Sequence, residues 1–284
     1  MNGKTCVITG ATSGIGYGIA RGLASKNFEL VIIGRDPKKG EAAVEDLKNR
    51  ANHPNITYYN IDLCSQKHIR QTGEEIRNNH PKIDVLINNA GVWTSRCELT
   101  DEKIERQFAV NHLAYFLMTH LLYPNIIKSR DGRIINMGSD AHKYGKINFH
   151  DLNLERSYHG LKAYGQSKLA NLLFTYELHR IKKHDHVSVY CVQPGLVKTD
   201  IGVKHTNSFH ALMWKLRRLG GLTPEEAAET AIYLATTPEV AGNSGLYWDK
   251  CRPKPSSPRS KDPYDAARLW KVSEQLCGID NFFT

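Results

Sequence analysis

Apolar positions along the chain follow two spacings. Short, nearly continuous apolar runs occur at Lys4–Thr9 (KTCVIT), Phe28–Ile33 (FELVII), Ile56–Asn60, Ile83–Ile87 (IDVLI), Arg133–Met137 and Val187–Val192, with a shorter one at Leu246–Trp248. Runs of this length read as buried parallel strands. Between them apolar residues recur at helical spacing: Ile19, Ala20, Leu23 and Ala24 after the first run, then Pro37–Arg50, Ser65–Asn79, a stretch from Thr100 to about Lys128, Leu161–Lys183, a stretch from Thr223 to about Thr236, and Tyr264–Leu276. Thr100, with Asp101 and Glu102 behind it, reads as a helix cap, and Thr223-Pro224-Glu225-Glu226 as a capping box with proline in the first position. Strand and helix alternate throughout. That predicts an α/β fold with one doubly wound, mostly parallel, Rossmann-type sheet in a single domain. No internal repeat and no linker interrupts residues 1–250. Residues 251–284 form a C-terminal extension: Arg252–Pro263 (RPKPSSPRSKDP) reads as a surface loop or mobile tail, and the helix after it packs back on the domain.

The polar clusters fall where strands end: Gly10–Gly16, Arg35, Asp62, Asn88–Gly91, Ser139 and Pro194–Thr199. In open α/β sheets that edge binds ligands. Gly10-Ala11-Thr12-Ser13-Gly14-Ile15-Gly16 joins the first strand to a helix N-terminus. Its spacing, G-x3-G-x-G, differs from the commoner G-x-G-x-x-G, but the placement makes it a phosphate cradle. At the end of the second strand, an acid would hold a ribose 2′-hydroxyl and an arginine a 2′-phosphate. Arg35 stands there, followed by Asp36, and Ser13 adds a hydroxyl. NADP(H) is therefore the expected cofactor. Asp62-Leu63, after the third strand, would meet the adenine.

Tyr164 and Lys168 stand four residues apart in the Leu161–Lys183 helix, so they share a face. A cation beside a phenol favours the phenolate and lowers its pKa, which suits proton transfer at a carbonyl or alcohol oxygen.

The chain has 284 residues, of which 40% are hydrophobic, enough for a large core. Its formal charge of +9 is spread out, with small clusters at Lys38-Lys39, Lys182-Lys183 and 215–218, and no aromatic-interleaved basic motif accompanies it. Nucleic acid is therefore not an expected partner. No apolar run approaches the ~20 residues of a membrane helix, and Met1–Lys4 leads straight into a strand. A chain without a signal peptide or transmembrane anchor, with six scattered cysteines and no CxxC pair, is expected in the cytoplasm. The 13 histidines show no metal-ligand spacing, so no metal is expected.

Taken in order, Thr9-Gly10-x3-Gly14-x-Gly16, Asp62, Asn88-Asn89-Ala90-Gly91, Asn111, Ser139, Tyr164-x3-Lys168 and Pro194-Gly195-x3-Thr199 resemble the short-chain dehydrogenase/reductase family over residues 4 to about 250. Gly34-Arg35-Asp36, Lys146–Leu152 (KINFHDL), Ser167–Asn171 (SKLAN) and Ala267–Trp270 are similar to its retinol dehydrogenase-like branch, without that branch's apolar N-terminal anchor. The resemblance implies that Tyr164 is the general acid/base and that Lys168 tunes it and binds the nicotinamide ribose. It implies that Ser139 orients the substrate oxygen, and that Asn111 kinks its helix and holds a water linking Lys168 to solvent. Asn89, Ala90, Gly91, Pro194, Gly195, Val197 and Thr199 would line the cofactor, and the family's habit implies a homodimer through the helices carrying Asn111 and Tyr164.

Two segments would shape the substrate pocket. Asp140–Gly160 forms a rim. The stretch at about 200–222, with Phe209, Leu212, Met213 and Leu216 at helical spacing beside Trp214, reads first as a lid over an apolar substrate, with docked core second and peripheral membrane contact third. The leading function is NADP(H)-dependent interconversion of a carbonyl and an alcohol on a bulky apolar molecule. The alternative is a non-catalytic NADP-binding redox sensor or scaffold.

Overall fold

The computed structural model describes residues 3–50, 55–197 and 221–283. Seven strands lie parallel in one sheet: Thr5–Thr9 (β1), Glu29–Gly34 (β2), Ile56–Asn60 (β3), Val85–Asn88 (β4), Gly132–Met137 (β5), Val187–Val192 (β6) and Leu246–Asp249 (β7). Arg252–Pro253 (β8) adds an antiparallel edge, and the order is β3-β2-β1-β4-β5-β6-β7-β8. The order reverses between β1 and β4, which opens a crevice at their C-terminal ends. The strand runs are continuously apolar because both faces are covered. One core layer packs against α1 (Gly14–Ala24), α2 (Pro37–Arg50) and α7 (Pro224–Thr236). The other packs against α3 (Gln66–Asn79), α5 (Ala114–Ile126), α6 (Gly160–Ile181) and α8 (Pro263–Leu276).

The helix expected from Thr100 starts later. Thr100 closes a turn on itself, its N–H donating to the Ile104 carbonyl at 2.8 Å, and Lys103 takes a left-handed φ of 60°. Leu99 then bridges Glu105, which caps α4 (Arg106–Phe108) by accepting the Phe108 N–H at 2.8 Å. The acids behind Thr100 serve elsewhere: the Glu102 carboxylate accepts the Gln66 N–H and so caps α3. After α4 comes a π-helical turn, Ala109–Leu113, before α5 begins. A cap signature is local, and here a tighter turn outbid it.

Arg252–Pro263 is not a free tail. Beyond β8 it forms a 3₁₀ turn, Pro258–Lys261, with Ser260 fully buried. Past it, α8 and the last residues lie along α5 and α6. Phe282 sits edge-on to Phe116 with ring centroids 4.8 Å apart, and tilted on Trp270 at 4.5 Å. The ring nitrogen of His120 meets the Phe282 carbonyl at 2.8 Å. The apolar outer face of α5 and α6 is thus covered by the chain's own C-terminus. Among the described residues no helix is long and apolar enough to cross a membrane.

Phe282→Ala should cost about 3–5 kcal/mol of unfolding free energy, as for other buried phenylalanines. Urea titration measures it, and a loss below about 1 kcal/mol would show that this aromatic cluster contributes little.

Candidate active site

β1 ends at Thr9, whose hydroxyl accepts the main-chain N–H groups of Asn89 (2.9 Å) and Ala90 (3.0 Å). The Asn89 amide donates back to the carbonyls of Thr9 (2.9 Å) and Gly10 (3.2 Å). These bonds draw the turns after β1 and β4 so close that side chains are excluded. A Cβ at Gly10 would lie 2.8 Å from the Ala90 Cα, and one at Gly16 2.3 Å from the Gly10 carbonyl oxygen. Gly10 and Gly14 also take left-handed φ angles of +67° and +57°. Ser13 precedes α1 in extended conformation, its side chain makes no capping bond, and no acid stands in the first turn. The helix therefore presents unsatisfied N–H groups and a partial positive charge.

A cleft of about 410 Å³ lies over this junction. Gly10, Thr12, Ser13, Gly14, Ile15, Gly16, Arg35, Asp62, Leu63, Asn89, Ala90 and Gly91 all line it, so the expected cofactor residues from the first four strands converge. Arg35 is exposed at its rim. Asp36 is occupied otherwise: its carboxylate accepts the Lys39 N–H at 3.2 Å, at the start of α2. That turn brings Lys39 to the cleft beside Arg35, giving two cations where the sequence reading had named one. Trp93, Thr94 and Arg106 line the cleft too and were also missed. A cap at Asp36 could have pointed to Lys39, but nothing local marks Trp93 or Arg106.

Ser139, Tyr164 and Lys168 are not in the lining of this cleft; they form a second cluster at the ends of β5 and α6. Ser139 is extended at the end of β5 and its Oγ accepts the Ala141 N–H at 3.2 Å. Its side chain lies near the half-buried Tyr164 phenol. The Lys168 ammonium, nearly buried, lies 5.7 Å from the Tyr164 ring centroid and donates to the Met137 carbonyl at 2.9 Å. Burial holds Lys168 down at about 8. It pushes the Tyr164 phenol up to about 12, against a smaller lowering by Ser139. The sequence expectation of a lowered phenol pKa is thus reversed in the protein alone, because desolvation outweighs a cation that is not in contact with the hydroxyl.

Asn111 stands in the π-turn, where such turns often mark working sites. Its side chain accepts the Val92 N–H (2.7 Å) and donates to the Val92 carbonyl and to Ser167 Oγ, both at 3.0 Å. It ties the cleft wall to α6, one residue from Lys168. Pro194, Gly195 and Val197 follow β6; Gly195 takes φ +81°, and Val197 bridges Leu222. Thr199 and the expected lid, apart from Leu222 and the residue before it, lie outside the described residues. No cluster of three or more potential metal ligands occurs among the described residues.

A family described as short chain dehydrogenase matches residues 4–208. Retinol dehydrogenase 13 of Homo sapiens is 39% identical, over 98% of this chain and 86% of its own. Retinol dehydrogenase 14 of Mus musculus is 37% identical, over 98% and 87%. Among solved structures, an uncharacterised protein from Mycobacterium paratuberculosis superposes with TM-score 0.77 at 32% identity, covering 98% of this chain and 94% of its own. A chain from Shigella flexneri named as a short chain dehydrogenase and complexed with NADP superposes with TM-score 0.71 at 20% identity, covering 89% and 98%.

Burying Lys168 has a measurable signature. Its folded pKa of about 8 lies below the 10.5 of the free side chain, so between those values the unfolded state binds more protons and stability rises with pH. Below about pH 8 the folded protein carries the full cost of the buried charge. Lys168→Met should therefore raise stability at pH 7 by about 3 kcal/mol, and the gain should vanish towards pH 10.5. Chemical unfolding at pH 7, 9 and 10 checks this; a pH-independent difference would overturn it.

Proposed function

The chain belongs to the short-chain dehydrogenase/reductase family, and from that premise we propose an NADP(H)-dependent oxidoreductase that interconverts a carbonyl and an alcohol on a bulky apolar molecule. The observation that carries the reading is the pairing of two clusters across one sheet edge: a phosphate cradle and a phenol–lysine–serine group. Tyr164, Lys168, Ser139 and Asn111 are the proposed catalytic set. The relatives' names include a dehydrogenase acting on retinol, an alcohol of the proposed class.

The chain's own residues fit a dinucleotide. Gly10 and Gly16 let the turns after β1 and β4 close on each other, Gly14 takes a left-handed φ of +57°, and the open end of α1 faces the cleft that all three line. Arg35 and Lys39 stand together at the rim while Asp36 is occupied by its capping bond. Two cations at the rim favour the extra phosphate of NADP(H). The NADP bound to the Shigella flexneri chain agrees with this. Asp62 and Leu63 would contact the adenine, and Asn89, Ala90 and Gly91 the inner ribose side. Pro194, Gly195, Val197 and Thr199 would close over the nicotinamide.

When bound, the dinucleotide supplies or takes the hydride. The protein manages the proton. Ser139 would hold the substrate oxygen and turn it towards Tyr164. A phenol whose pKa stands near 12 keeps its proton at neutral pH, so it is set to donate to a carbonyl oxygen. Lys168, its ammonium 5.7 Å from the ring centroid, would then stabilise the phenolate left behind. The exposed apolar side chains near this cluster suit a large apolar substrate: Tyr144 follows Ser139, Leu161 precedes Tyr164, and Leu196 follows β6. The six cysteines, all free, suit a reducing compartment and so a cytoplasmic enzyme. A homodimer through α5 and α6 would have to form around α8 and Phe282, which already cover that face.

The test is oxidation of NADPH, against NADH, with bulky apolar aldehydes and ketones. Tyr164→Phe should lower turnover by about 10²–10⁴-fold while NADPH binding stays intact. Arg35→Ala should weaken NADPH by about tenfold or more and leave NADH unchanged. Turnover that survives Tyr164→Phe would end the catalytic assignment, and tight NADPH binding without any turnover would move a redox-sensing role to the front.

A further inference from the structure

We propose that His142 is a positioning residue for Ser139, and that through it the C-terminal strap 249–260 forms part of the active-site frame. The inference rests on the reading of Ser139 as the group that orients the substrate oxygen.

His142 lies in the 3₁₀ turn Asp140–Tyr144 and has no exposed surface. Both ring nitrogens are engaged. Nδ1 stands 2.7 Å from the main-chain carbonyl oxygen of Ser139, and Nε2 stands 3.0 Å from the main-chain nitrogen of Ser257. Ser257 N–H can only donate, so Nε2 is the acceptor. The ring proton therefore sits on Nδ1 and points at Ser139, which makes the imidazole neutral in one tautomer. Burial also holds its pKa below the ordinary histidine value, in keeping with a neutral ring. The Tyr247 ring stands edge-on to it at 5.2 Å and limits its rotation.

The rest of the turn is held from the same side. Lys254 donates to Asp140 at 2.9 Å and to Asp249 at 2.8 Å, and the Tyr247 hydroxyl donates to Asp140 at 3.1 Å. Arg259 reaches the Gly145 carbonyl at 3.2 Å. The strap leaves β7 through Lys250 and Cys251, both in left-handed conformation, which turns the chain back over the site. Four of the seven residues from Ser139 to Gly145 are thus bonded directly to the 247–259 stretch or, for Ser139, through His142. The Ser139 carbonyl accepts the His142 main-chain N–H at 3.0 Å as well as the ring N–H, and its Oγ accepts the Ala141 N–H. The ring bond is the one in this set that leads from the strap to Ser139. A misplacement of about 1 Å at a reacting group costs about 10²-fold in rate.

The experiment is a double-mutant cycle on the full chain with wild type, His142→Phe, Ser139→Ala and the pair, in the NADPH assay. Phenylalanine keeps the ring volume and removes both hydrogen bonds. His142→Phe should lower kcat by about 10- to 100-fold, with the Kd for NADPH within about twofold. The double variant should be no slower than Ser139→Ala alone, since both changes act through one group. His142→Gln, which keeps a donor and an acceptor, should recover part of the rate. Multiplying effects in the double variant, or an unchanged kcat in His142→Phe, would overturn the inference. Should the wild type turn nothing over, the functional reading falls, and the positioning role is decided by NMR. A ring proton on Nδ1 and shifted amide signals at 139–144 in His142→Phe would support it; a proton on Nε2, or unmoved signals, would overturn it.

Discussion

Everything at the sheet edge depends on how closely the turn after β1 approaches the turn after β4. Thr9 and Asn89 stitch the two turns with four hydrogen bonds, and the spacing that results leaves no room for a Cβ at Gly10 or Gly16. From that contact follow the open end of α1, the cleft above it and the placement of Arg35 and Asp62 on its walls. Asn111 extends the same constraint inward. Its amide fastens Val92 to Ser167, and so ties the cleft wall to the helix bearing Tyr164 and Lys168.

Burial, more than charge pairing, sets the electrostatics of the Tyr164–Lys168 cluster. Lys168 and Tyr164 are both pushed towards their neutral forms. A spacing argument sees a cation and a phenol on one helical face. It cannot see that the ammonium turns to the Met137 carbonyl and is buried there, while the phenol is half-buried. Burial thus leaves a phenol that keeps its proton beside an ammonium that is easier to deprotonate than a free lysine.

The C-terminal extension does two structural jobs. Its strap fixes the turn after Ser139, and α8 with Phe282 closes the apolar face of α5 and α6. Neither job is visible in Arg252–Pro263, whose proline, serine and charge read as solvent-loving. The segment is held by hydrogen bonds to main-chain and buried groups more than a hundred residues away.

The sequence by itself determined the strands, most helices, the parallel architecture and the glycine turn. Both faces of the sheet are buried, so strand runs must be apolar throughout, and helices must carry a stripe at 3.6-residue spacing. It also named Arg35, Asp62, Asn89 and Ser139 from their places at strand ends, and Tyr164 and Lys168 from their spacing on one helical face. What only the tertiary structure decided depends on contacts between distant segments. Thr100 has a cap's sequence but closes a turn, because Leu99 and Glu105 pair across it. Lys39 joins Arg35 because Asp36 caps α2. The phenol's pKa rises because the fold dries it. His142 carried no signal among 13 histidines, and its position between Ser139 and Ser257 arises from a strap that closes over it after more than a hundred intervening residues. Local patterns record what each segment can bury; which groups meet there is settled only when the segments pack.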